Sequence, residues 1–104
     1  MLTIPIKKEW FDMIKSGEKP EEYREMTLYW TKRFEKYLLA EPNTEFEVIL
    51  RNGYGKDRPS IKCTVTIDID YGYGCWGAWS HDLYYVLRIK HWEEYKETWN
   101  RPKN

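Results

Sequence analysis

The chain has 104 residues, 17 basic against 17 acidic, six Trp, nine Tyr and three Phe. That length suits one domain with a real core. The charge balance argues against gripping long duplex DNA through many phosphates, although a local pocket for one or two nucleotides is compatible with it. No run approaches the length of a membrane span. The N-terminus shows no sustained apolar segment before a small-residue cleavage site, so no secretory leader is expected.

In chain order, "LTIPI" (2–6) reads as a short strand whose proline is most comfortable at an edge or strand end. "KKEWFDMIKSG" predicts a helix over about 7–16, with Trp10, Phe11 and Ile14 on one face and Gly17 as its stop. "SGEKPEEYRE" (16–25) follows: a turn through Pro20, then an extended "EEYRE". A second helix is expected over about 28–39. Thr27 is its candidate N-cap, Trp30, Phe34, Tyr37 and Leu38 recur at helical spacing, and Pro42-Asn43 closes it.

Alternation predicts strands at 45–51, 61–70 and 83–90, the second with Ile61, Cys63, Val65, Ile67 and Ile69 inward. Lys62, Thr64, Thr66, Asp68 and Asp70 would then point outward. Residues 52–60 form a polar hairpin connection, and "YGYGCWGAWSHD" (71–82) a glycine and aromatic loop. Trp92, Tyr95 and Trp99, three and four apart, suggest a short C-terminal helix docked on the barrel, followed by a frayed end. Two helices followed by antiparallel strands imply an α+β domain, a curled sheet or small barrel with flanking helices.

Few residue sets could carry chemistry. Lys19 and Arg24 are donors suited to phosphate, carbonyl or base acceptors, and Glu22 can accept from an amino group or fix Arg24. Pro20, Glu22 and Arg24 share one face of an extended backbone; the competing reading is a solvated turn with weak surface pairs. Tyr73, Trp76 and Trp79 could form a stacking wall or simply plug the barrel's end. Asp68 and Asp70 could serve acid/base chemistry or a hard cation, though a solvated strand end is the preferred reading of two carboxylates alone. No zinc motif, dinucleotide fingerprint or nucleophile elbow is present, so no metal or cofactor is expected. Cys63 and Cys75 read as free thiols in a reducing cytosol.

The stretch "FDMIKSGEKPEEYRE" resembles the opening of ASCH domains of the PUA-like superfamily, with Gly17, Lys19, Glu22 and Arg24 on the family's Gly-x-Lys-x-x-Glu-x-Arg pattern. "GCWGAWSHDLYYVLRI" is similar to the family's final barrel strand and the loop that enters it. The resemblance implies a small PUA-like, mostly antiparallel β-barrel with flanking helices over residues 1–104. It implies a cleft for RNA or a modified nucleoside, built from Lys19, Glu22 and Arg24, with Tyr73, Trp76 or Trp79 stacking the base. Such a protein is expected to be cytoplasmic and monomeric. One branch of the family deacetylates acetylcytidine with a Lys, a Thr and a Glu. Here Lys19 matches that lysine, but Glu22 stands where the threonine falls. Only a different hydrolysis, with Glu22 as base and Lys19 as electrostatic group, would fit.

Overall fold

A computed structural model describes residues 1–96. Five strands and two helices follow the order β1 (Leu2–Ile6), α1 (Lys8–Ser16), β2 (Glu21–Glu25), α2 (Leu28–Leu38), β3 (Phe46–Asn52), β4 (Ser60–Tyr71) and β5 (Leu83–Tyr95). They form one curled sheet in the order β1-β3-β4-β5-β2, a half-barrel in which only the β1–β3 pair is parallel. Pro5 accordingly lies in an edge strand, where its missing N–H is least costly.

Both helices cover the concave face. Phe11 and Ile14 of α1 and Phe34 of α2 share a core with Ile4, Val48, Leu50, Ile61, Cys63, Val65, Tyr85 and Leu87. Thr27 caps α2 by accepting a hydrogen bond from the Trp30 N–H at 3.3 Å. α1 ends at Gly17, whose φ of 86° is left-handed and needs glycine. The chain reverses there, and the Lys19 N–H bonds back to the Met13 carbonyl at 3.1 Å. That reversal turns Lys19 under the sheet instead of out to water.

The sheet has a second face with its own small cluster: Tyr23, Ala78, Tyr84 and Val86, with Trp76 packed against them. Here the 71–82 loop folds onto β2 and β5. Two tyrosine hydroxyls pin it, Tyr23 accepting from the Tyr73 N–H at 3.1 Å and Tyr84 from the Trp79 N–H at 2.8 Å. Gly72 makes the close approach feasible, since a Cβ there would lie 2.6 Å from the Ala78 Cβ and 2.8 Å from the Tyr23 ring. Gly72→Ala is therefore expected to destabilise the fold by about 1–3 kcal/mol in denaturant unfolding. Gly74→Ala, where an added Cβ meets nothing within 4 Å, is the near-neutral control.

Two expectations need correcting. The C-terminal helix is not formed over 91–95: these residues continue β5 and pair with Ser60–Thr64, placing Trp92 opposite Cys63 and Tyr95 opposite Ser60. A register shift beside Thr64 and Val65 leaves Lys90 as an extra residue, and this carries Trp92 onto the core face. Pairing the start of β4 outweighs a weak helical period in a short aromatic run. Trp99 and its docking lie outside the described residues. Ile69 sits on the inward face but is 43% exposed, in a groove that it lines with Tyr37, Leu38, Pro42 and Asn43. Thr66 lies on the outer face as expected, and is buried there beside its cross-strand partner Arg88.

No helix among the described residues is long and apolar enough to cross a membrane. Both cysteines are free thiols. Cys63 lies in the core, where burial, and secondarily the charge of Glu22, pushes its thiol up to about 12. Cys75 is exposed in the 71–82 loop.

Candidate functional site

The strand register places Glu22 opposite Leu87 and Arg24 opposite Tyr85. Both partners belong to the core, so a carboxylate and a guanidinium face the inside of the half-barrel. They lie near the seam where the two edge strands, β1 and β2, come together. Arg24 bridges that seam: Nη2 donates to the Pro5 carbonyl of β1 at 2.7 Å, and Nη1 donates to Glu22 Oε2 at 2.9 Å and to the Tyr23 carbonyl at 2.6 Å. The guanidinium also lies 5.2 Å from the centre of the Trp30 ring, a cation–π contact.

Lys19 completes the group from behind. Its ammonium donates to Glu22 Oε1 at 2.8 Å and to the Glu21 carbonyl, and lies 5.4 Å from the Trp10 ring centre and 5.0 Å from that of Tyr23. Its side chain is 0% exposed and that of Glu22 5%. Burial lowers the Lys19 pKa from its ordinary value, and the adjacent Glu22 carboxylate opposes that shift. One carboxylate thus takes a cation on each oxygen. The arrangement is satisfied and stiff, and among the described residues no buried side-chain polar atom lacks a partner.

A cavity of about 620 Å³ opens at this seam. Glu22, Arg24 and Thr27 line it, together with Trp10 and Trp30, the third residues of α1 and α2, and Trp76, Gly77 and Trp79 from the 71–82 loop. Lys7, Lys8, Asn52 and Tyr54 form further parts of its wall, and Glu25 adds a second carboxylate. Of the residues singled out from sequence, Glu22, Arg24, Trp76 and Trp79 meet in this cleft. Lys19 supports it without lining it. Tyr73 also stays off the wall, its ring edge-on to Trp76 at 5.0 Å.

Asp68 and Asp70 are not brought to the cleft. On the outer face they accept from the Arg88 guanidinium at 2.9 and 2.8 Å, and Glu21 lies 3.2 Å from the same group. They form a cross-strand ion-pair cluster. Among the described residues no group of three or more His, Cys, Asp or Glu could hold a metal ion.

Sequence reasoning missed Trp10, Trp30 and Tyr54 as cleft residues. The periodicity that assigns Trp10 and Trp30 to buried helix faces is correct, but both sit in first turns, at the open end of those faces. Fold and site together define a small α+β half-barrel domain with a charged, tryptophan-rich cleft at the seam of its sheet. The chain matches no protein-family model, no curated protein and no solved structure.

Proposed function

We propose that this cleft recognises a nucleobase, carried by RNA or by a modified nucleoside, as the resemblance of residues 17–24 to ASCH domains implies. The observation that carries the reading is the fixed Glu22–Arg24 pair between indole walls. A carboxylate beside a guanidinium offers an acceptor next to a donor, the complement of a base edge that presents an amino group beside a carbonyl or ring nitrogen. Glu22 takes the amino hydrogen with its remaining lone pairs. Arg24 donates to the base acceptor through guanidinium hydrogens not committed to the seam. Lys19 is a positioning residue that fixes Glu22 through its Oε1. Trp76 and Trp30 supply ring faces, and the cavity volume falls in the range of small-molecule sites. Within this reading the protein works as a cytoplasmic monomer whose two thiols stay reduced.

The test is a panel of modified and unmodified nucleosides, acetylcytidine included, and short RNAs, scored for binding and for product. Saturable binding without product is expected, weakened at least tenfold by Arg24→Met and by Trp76→Ala in variants that still unfold cooperatively. Absence of saturable binding across the panel overturns the reading. Turnover of an acylated nucleoside that Lys19→Met abolishes would assign an amidohydrolase instead.

A further inference from the structure

Two large rings stand at the cleft with little of their surface covered. Tyr54, in the loop between β3 and β4, is 86% exposed, and Trp79, in the loop between β4 and β5, is 76% exposed. Both line the cavity, and neither makes a ring contact with another aromatic among the described residues. The sheet order puts them on opposite rims: Tyr54 on the β1–β3 side of the seam, Trp79 on the β5–β2 side. Lys7, immediately before α1, also lines the cavity and is exposed. Its neighbour Lys8 is paired with Asp12, whereas Lys7 has no ion-pair partner among the described residues.

An interior that fits one base needs none of this. Trp76 and Trp30 already supply inner walls for a single base. Rim aromatics and an unpaired rim cation suit a ligand that continues past the mouth on both sides, with flat groups and a negative charge repeating along it. We propose that the occupant of the cleft is one nucleotide of a single-stranded nucleic acid, whose flanking bases stack on Tyr54 and Trp79 while a phosphate lies at Lys7. This rests on the base-recognition reading above and narrows it. A single strand is favoured over a duplex because its bases are free to splay onto rings. A chain with 17 basic against 17 acidic residues also has no excess of cations for tracking a duplex backbone.

The test compares six-nucleotide single strands of each base, as RNA and as DNA, with the matching 5′-mononucleotides, by calorimetry on the full chain. The best hexamer is expected to bind at least tenfold more tightly than its mononucleotide, and the preferred sugar names the natural polymer. Tyr54→Ala and Trp79→Ala should each weaken the hexamer roughly 5- to 100-fold, and each should weaken it several-fold more than the mononucleotide, so that the hexamer's advantage shrinks. Both rings are exposed, so folding should survive their removal. Lys7→Ala should reduce the slope of log affinity against log salt by about 0.7, the value for one single-strand phosphate. A hexamer that binds no better than the mononucleotide overturns the strand proposal and leaves base recognition standing. So does an advantage that survives both ring substitutions, since the rings would then serve another partner. If neither probe binds, base recognition and the strand proposal fall together.

Discussion

Glu22→Ala is expected to lower the unfolding free energy by about 3–5 kcal/mol, the usual result of removing one partner of a buried ion pair. The reason is Lys19. Its ammonium is wholly buried, and Glu22 is the one carboxylate it pairs with among the described residues. Arg24 loses its Glu22 bond as well but keeps two carbonyl acceptors and some access to water. The reverse change, Lys19→Met, leaves Glu22 paired with Arg24 and replaces a buried charge with an apolar chain of similar length. It should cost clearly less.

A pH signature separates this account from simple loss of packing. Burial lowers the folded-state pKa of Lys19 below its ordinary 10.5. Between the folded and unfolded values the unfolded chain binds more protons, so stability contributed by this group rises with pH. Glu22→Gln removes the charge that opposes the shift, moving the folded pKa lower still. Its deficit relative to wild type should be largest at neutral pH and should shrink as pH climbs towards 10.5. A deficit constant across that window would mean that Lys19 is not the origin.

Phe34→Ala is expected to cost about 3–5 kcal/mol, as complete removal of a buried aromatic does. Phe34 has no exposed surface and joins α2 to β5. Its ring stacks on Trp30 at 5.5 Å and meets the edge of Tyr85 at 5.4 Å. The loss should reach function too, because Trp30 carries the Arg24 guanidinium on its other contacts. Urea unfolding should show the destabilisation. In the folded fraction, ligand affinity should fall even though Phe34 does not line the cleft. Full stability in this variant would mean that α2 is held by something other than this stack.

The spacing of Glu22 and Arg24, two apart on an extended segment, correctly places them on one face. That this is the inner face was not legible, because alternation around them sets Tyr23 against charged neighbours and looks like an ordinary half-buried strand. Only the sheet order, with β2 at one edge, beside β5, and β1 at the other, reveals the seam that gives those charges a protected space. Helices α1 and α2 and the strand interiors were readable because burial imposes a period on them. The end of β5 was not, since a bulge at Lys90 breaks alternation where the aromatic spacing mimics a helix. Tyr54 escaped notice for a related reason: a lone aromatic in a polar hairpin loop has no period at all.

The most direct test of base recognition is to follow the indole N–H signals of the six tryptophans by two-dimensional NMR during titration with nucleosides and short RNAs. Trp10, Trp30 and Trp76 line the cleft, whereas Trp92 packs at the other side of α1, near Lys15. A ligand held between the indole walls should shift the first three saturably and leave Trp92 in place. Saturable binding that moves Trp92, or that leaves Trp30 and Trp76 unmoved, would contradict the account.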